Sequence, residues 1–294
     1  MCGIIYSKNL QDEKAINTLV KIIYQNQKSR GNKGFGFIGM NARRLDTYRS
    51  IDENGILRYL NRNPYDEILL HHRLPTSTPN TLQTTHPFVL SHEGSRYYFI
   101  HNGVIVNSIE LKNHHYKQGI RYTSMDNMGK FNDSEALAWE FVLSLQQNDE
   151  QLAARGSAAF ICLETDSLTS LARKLYFFSD GNSPLKIYHD MQLLVISSEG
   201  RWGVDVEENQ LFYFDYSSKK LKKGRALHLA ASTASRQNSW GYWGSHNFYN
   251  AWDIQQIERQ IMALEQEQEY LHSIGEHAKA NSLDEEIDNL WGTI

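Results

Sequence analysis

The sequence predicts an α+β fold built on stacked β-sheets, and three observations carry that reading. Short apolar segments rich in β-branched and aromatic residues recur along the first 230 residues, helical periodicity is confined to a few stretches, and the links between segments follow no regular βα alternation. With 294 residues, 40% of them hydrophobic and 22% charged, the chain can bury a sizeable core in one large domain or two modest ones, and wholesale disorder is excluded.

The elements follow in order. Residues 2–6 form a short apolar strand. Ile16, Leu19, Val20 and Ile23 then share one helical face, and this helix ends near the Arg30-Gly31 turn. Gly34, Gly36 and Gly39 interleave with Phe35, Phe37 and Ile38, as expected of a strand approached closely by other backbone. Further strands are expected at 67–72, 96–101, 157–163, 174–179, 185–189 and 192–197, with more β-structure through 211–229. A helix rich in Ala, Leu and Trp is expected at 134–146.

Past residue 230 the composition changes. Residues 231–252 are rich in Ser, Asn and Gly yet carry Trp240, Tyr242, Trp243, Phe248, Tyr249 and Trp252, a dense aromatic set for a linker. Ile254, Ile257, Ile261, Leu264 and Leu271 then follow a helical spacing, interrupted by Gln268 and weakened beyond Gly275. Ser282 and Glu285 form a capping-box pattern that would open a last short helix carrying Ile287 and Leu290. The expected organisation is a domain over 1–230, an aromatic-rich linker over 231–252 and a helical hairpin or short coiled coil over 253–294. The apolar stripe of this C-terminal helical tail would pack on its own domain or meet another chain, a second copy included.

Bulk properties remove several function classes. A formal charge of −4 gives no electrostatic reason to expect nucleic acid or an anionic membrane as partner. Apolar runs fall far short of the roughly 20 residues that span a bilayer. The start, Met-Cys-Gly-Ile-Ile-Tyr-Ser-Lys, lacks the basic and long apolar regions of a secretion signal. Two cysteines make no disulfide framework, so a reducing cytoplasm is the expected compartment. Cys162 falls within an apolar strand and reads as a core residue, whereas removal of Met1 would place Cys2 at the chain terminus.

A terminal cysteine is a self-sufficient catalytic unit. Its thiolate is the nucleophile, and its own α-amine, with an unperturbed pKa of roughly 7.7–8.0, can take the thiol proton. Met1-Cys2-Gly3-Ile4 resembles the start of class II glutamine amidotransferases, which are N-terminal-nucleophile hydrolases. His72-Arg73-Leu74-Pro75-Thr76 resembles the family segment whose arginine holds the glutamine α-carboxylate, and His86-Pro87 follows in family order. His101-Asn102-Gly103 resembles the oxyanion segment, and Asp133-Ser134-Glu135 the motif whose aspartate binds the α-ammonium. Ser183-Pro184-Leu185 and Ser197-Ser198-Glu199 resemble the distal strands.

The resemblance covers about residues 2–230 and implies an αββα sandwich of two antiparallel sheets between helices, like the glutaminase domains of glucosamine-6-phosphate synthase, amidophosphoribosyltransferase and asparagine synthetase. It further implies hydrolysis of L-glutamine to glutamate and ammonia through a Cys2 thioester. Asn102 and Gly103 would stabilise the oxyanion, and Arg73, Thr76, His86 and Asp133 would bind substrate. No metal or organic cofactor is implied. Taken singly, Arg73 reads as an ion-pair former, Asn102-Gly103 as a hairpin turn and Asp133 as a helix N-cap; their joint order after Cys2 favours the catalytic reading.

One departure stands out. Lys33 occupies the position where the family usually has aspartate, in Arg30-Gly31-Asn32-Lys33-Gly34, which puts that loop's role in question. Family members usually fuse this domain to one that consumes the ammonia, but only about 65 residues follow residue 230. The expectations are therefore a separate ammonia-accepting synthase subunit, a stand-alone γ-glutamyl amide hydrolase, or an inactive interaction protein that keeps the fold. His71-His72 and His114-His115 lack metal-ligand spacing and read as ordinary strand or turn residues. Lys219, Lys220, Lys222, Lys223 and Arg225 read as a solvated basic hairpin.

Overall fold

The computed structural model describes residues 2–10, 30–41, 44–52, 65–75, 80–126, 129–190, 193–198 and 203–230, with residues 264, 268, 271, 276–279 and 281–283 of the C-terminal region. The chain divides into two compact units, Met1–Thr233 and Ala234–Ile294. In the first, the described elements are β1 (Gly3–Asn9), β2 (Gly34–Asn41), β3 (Arg44–Ser50), β4 (Glu67–Arg73), β5 (Phe88–His92), β6 (Ser95–Ile105), α1 (Ser108–Lys117) and α2 (Asp133–Gln147). They continue with β7 (Gln151–Leu152), β8 (Gly156–Asp166), β9 (Ala172–Ser179), β10 (Lys186–His189), β11 (Leu193–Ser197), β12 (Val204–Asp205), β13 (Gln210–Asp215), β14 (Lys220–Ala226) and β15 (His228–Leu229).

Two antiparallel sheets result. One has seven strands in the order β12-β10-β11-β1-β4-β2-β3, and the other six in the order β14-β13-β9-β8-β6-β5. Their alternation writes the layers directly. Ile4 and Tyr6 of β1, Ile38 of β2 and Leu69 of β4 pack against Tyr98, Ile100, Ile161, Leu163 and Phe177 of the second sheet. The intervening residues Ile5, Phe37, Ile68 and Leu70 form a separate buried set on the other face of the first sheet. β8 is apolar without alternation because both of its faces are covered: Ala159 and Ile161 toward the first sheet, Phe160 and Cys162 toward the helices.

α2 covers the outer face of the second sheet, with Leu137, Phe141 and Val142 against Phe99, Phe160 and Phe178. Its N-cap is Asn132, whose side chain accepts from the Ser134 N–H, so Asp133 is the first helical residue and is left free for another task. Asn148 in the left-handed conformation ends the helix.

The expected strands, including those at 185–189 and 192–197, and the 134–146 helix are present, and three described elements of three residues or more add to them: β3, β5 and α1. α1 corrects the reading of His114-His115, which lie on a helix. His115 is buried there between the Tyr122 hydroxyl at 2.7 Å and Glu140 Oε1 at 2.9 Å. The basic stretch 219–225 forms the β13–β14 turn and strand, as expected of a hairpin. The expected helix around Ile16–Ile23 and the aromatic segment 231–252 lie outside the described residues. In the second unit, Leu264, Gln268 and Leu271 are helical. Ser282 is already inside a helical stretch and donates back to the Lys279 carbonyl at 2.7 Å, so it does not cap a new helix.

Candidate active site

The site is assembled at one end of the space between the sheets. β1 and β4 run antiparallel with Gly3 opposite His72, which brings Cys2, one residue before β1, beside the Arg73-Leu74 end of β4. The Leu74 N–H approaches Cys2 Sγ at 3.5 Å, and the thiol lies 3.8 Å from the Leu74 carbonyl. Arg30 Nε donates to the Cys2 carbonyl at 3.5 Å. Ser198, at the end of β11, bonds both the N–H and the carbonyl of Ile4, fixing the strand that presents the cysteine. Burial pushes the Cys2 thiol up, opposed by the Leu74 N–H and by the Arg73 guanidinium. A cysteine held this way needs a local base.

Arg73 is 3% exposed at the end of β4, on the inward side shared with Leu69 and His71. Its Nη1 donates to Asn80 Oδ1 at 3.4 Å, and its carbonyl accepts from the Lys33 N–H at 3.2 Å. Asn80 in turn bonds the Lys33 carbonyl. The loop that departs from the family pattern is thus tied to the Arg73 segment through its backbone, with the Lys33 residue itself exposed. Gly31 is required there, because a Cβ would lie 2.7 Å from the Arg73 carbonyl carbon.

Asn102 and Gly103 are in the middle of β6, not in a hairpin turn. Asn102 is 1% exposed, and neither its Oδ1 nor its Nδ2 has a hydrogen-bond partner among the described residues. Gly103 adopts φ 142°, and a Cβ there would fall 2.1 Å from the Ser157 carbonyl oxygen, so no other residue fits. β6 is paired to β5 only as far as Phe99. Beyond it, the His101 carbonyl accepts from His71 Nε2 at 3.1 Å, and the Ile105 N–H donates to Asp133 Oδ2 at 2.7 Å. Backbone alternation along the strand sends the Gly103 N–H to the same open edge.

Asp133 is thereby fixed from both sides, as the first residue of α2 and as acceptor for β6. Burial raises its pKa, opposed by the Ile105 N–H and, further down, by the Arg73 charge. Cys2, Arg73 and Asp133 all lie within electrostatic reach of one another. His86, in a cis His86-Pro87 unit, is buried and stacks on His71 with ring centroids 3.9 Å apart. Gly36 lets β2 pass against this segment, since a Cβ would meet the His86 carbonyl oxygen at 2.0 Å.

Of the residues singled out by sequence, Cys2, Arg73, His86, Asn102, Gly103 and Asp133 are brought to this one place, and Thr76 lies outside the described residues. His71 was not singled out. Its signal is present nonetheless: it shares the inward face of a strand with Arg73, two residues away. Among the described residues no group of three or more His, Cys, Asp or Glu side chains could hold a metal ion.

Two solved structures share this architecture. "Structure of the allosteric regulatory enzyme of purine biosynthesis" matches with a TM-score of 0.58 at 18% identity, over 76% of this chain and 49% of that one. Glutamine phosphoribosylpyrophosphate amidotransferase from B. subtilis, complexed with ADP and GMP, matches with a TM-score of 0.52 at 17% identity, over 76% and 49%. The fold is the two-sheet sandwich of these structures. The resemblance to class II glutamine amidotransferase domains therefore holds at the level of fold, with two stacked antiparallel sheets and few helices. The chain spans about half the length of the structures it matches. No protein-family model matches the sequence, and no curated protein does. No helix among the described residues is long and apolar enough to cross a membrane.

Proposed function

We propose that this protein hydrolyses glutamine through a thioester on Cys2. The observation that carries the reading is the Asn102 side-chain amide, buried with no internal partner one residue after the His101 carbonyl that meets His71 of the Arg73 strand. An unpaired buried amide costs on the order of 1–3 kcal/mol, a cost that makes sense where a substrate oxygen completes the bond.

With Met1 removed, the α-amine of Cys2 takes the thiol proton, and Sγ attacks the glutamine side-chain carbonyl carbon. Asn102 Nδ2 and the Gly103 N–H receive the oxyanion. The C–N bond then breaks, the protonated amine returns its proton to the departing nitrogen, and ammonia leaves. Water, deprotonated by the same amine, cleaves the thioester to glutamate and restores the thiol. Arg73 pairs with the α-carboxylate and Asp133 with the α-ammonium, selecting the free amino acid over a glutamine within a chain. His86 and Thr76 belong to the same substrate-binding segment. A reducing cytoplasm suits a mechanism that needs Cys2 as a free thiol, as it is here.

The ammonia passes to a separate acceptor subunit in this proposal. Val104, Val106 and Ile109 are 42%, 71% and 51% exposed next to the oxyanion segment, an apolar rim suited to a docked protein. The test is intact mass after exposure to the glutamine-mimicking electrophile 6-diazo-5-oxo-norleucine. The wild type should gain one adduct, mapped to a Met1-free Cys2, and Cys2→Ala none. Retention of Met1, or no adduct on a folded protein with Met1 removed, would overturn the mechanism.

A further inference from the structure

Resting on the glutaminase reading above, we propose that His71 is a positioning residue that sets the oxyanion segment by donating from Nε2 to the His101 carbonyl.

The two residues belong to different sheets, His71 to β4 and His101 to β6, and their 3.1 Å contact is fully buried. A carbonyl can only accept, so Nε2 carries the proton and His71 is the neutral Nε2–H tautomer. Its ring is held by stacking on His86 at 3.9 Å, leaving it little freedom to turn away. The next residue after His101 is Asn102, whose side chain has no hydrogen bond of its own to hold it. Whatever orients that amide must act through the backbone on either side.

His101 is the anchor on the near side, and it is tied at three points. Its Nε2 donates to the Ser157 carbonyl at 3.3 Å, which leaves Nδ1 to accept from the Ser134 hydroxyl at 2.9 Å. Those two contacts attach it to β8 and to the start of α2, beside Asp133. The third contact, from His71, attaches it to β4, two residues before Arg73. It links the strand of the carboxylate-binding arginine directly to the oxyanion strand. The spacing between those two subsites is what determines whether a bound glutamine presents its side-chain carbonyl to Cys2 in line with Asn102.

The test compares His71→Gln with His71→Met, side chains of similar length of which only the first can donate. Each is made in the wild-type protein and on Asn102→Ala, and kcat and KM for glutamine hydrolysis are measured. His71→Met should lower kcat about 10- to 100-fold, less than loss of the oxyanion donor itself, with KM changed by less than about twofold. His71→Gln should recover kcat to within about threefold of wild type. On Asn102→Ala, His71→Met should cost less than about twofold more, because its effect runs through an amide already gone. The proposal is overturned if His71→Met keeps kcat, if Gln is as damaging as Met, or if the Met loss is undiminished on Asn102→Ala. If His71→Met does not fold, the His71→Gln loss alone is compared in the two backgrounds, and a loss that persists on Asn102→Ala overturns the proposal. A wild type that hydrolyses no glutamine sinks the glutaminase reading and this proposal together, whereas an active wild type with an unaffected Met variant sinks this proposal alone.

Discussion

β1 and β4 supply polar residues to both ends of the sandwich, and the two ends treat them in opposite ways. At the Glu67 end, Glu67 is 3% exposed and accepts from Tyr6 at 2.7 Å, from Lys8 at 2.7 Å and from Tyr216, with Lys8 also over the Tyr216 ring. There Glu67, Lys8 and the two tyrosine hydroxyls answer one another. At the Cys2 end, roughly 20 Å away along β1, the Asn102 amide, both His86 ring nitrogens and His71 Nδ1 are buried without partners among the described residues. A cleft of about 860 Å³ opens at the Glu67 end, lined by Lys8, Arg44, Glu67, Lys174 and Tyr216 among others. A satisfied network holds a fold together, while several unsatisfied buried groups gathered in one place mark a candidate for completion from outside the fold. The proposed chemistry belongs to the Cys2 end, where these unpartnered groups gather.

The sharpest way to break this comparison is to exchange stability for activity at each end. Asn102→Ala removes a buried amide that bonds nothing, so glutamine hydrolysis should fall by about 10²–10³ in kcat while the unfolding free energy changes by less than about 1 kcal/mol. A variant unfolded at assay temperature would place Asn102 among structural groups instead. Glu67→Ala does the reverse. It strands a lysine and two tyrosine hydroxyls, and because Lys8 is 19% exposed the cost is discounted to about 2–3 kcal/mol of stability. Hydrolysis per folded molecule should stay within about twofold. Denaturant unfolding checks the first quantity and steady-state kinetics the second; a large fall in kcat at normal stability would tie the Glu67 end to catalysis.

The same contrast explains what could be read from sequence. Cys2, Arg73, Asn102-Gly103 and Asp133 were readable as candidates because each is a residue type that the proposed reaction would demand, in a fixed chain order, whatever holds it in place. The strands were readable where the run is apolar throughout because both faces are buried, as in Ile4–Ile5–Tyr6 and Ala158–Leu163. α1 was not readable because only Leu111 and His115 of its ten residues are buried, too few to write a helical stripe. β3 was missed because it is an edge strand with polar residues on both faces, the pattern that protects an edge from further pairing. His71 was read as an ordinary strand residue because its partner is a backbone carbonyl, which no sequence pattern reveals. The Glu67 network escaped for a similar reason: Tyr6, Glu67 and Tyr216 are far apart in the chain and meet only when the sheets stack.

The smallest expected effect separates the two ends by pH. At the Cys2 end, burial lowers the His101 pKa from 6.5 to about 4, and burial lowers those of His71 and His86 in the same direction. Such a histidine is protonated in the unfolded chain below 6.5 but not in the folded one, so stability drains away as pH falls through 6.5 toward 4. Asp133 works the other way, since burial raises its pKa and acid therefore favours its folded environment; its window runs upward from 3.8 and offsets part of the histidine loss there. At the Glu67 end, burial raises the Tyr6 and Tyr216 pKa values, so the unfolded chain ionises first above pH 10 and stability is lost on the alkaline side. From His101 alone, going from pH 7.5 to 5.5 should cost about 1 kcal/mol. Tyr216→Phe removes one of the alkaline groups and leaves every histidine in place, so it should flatten the loss above pH 10 and leave the acid limb unchanged. Denaturant unfolding across pH 5 to 11 reads both limbs, and a variant that moves them together would mean that the two ends do not titrate independently.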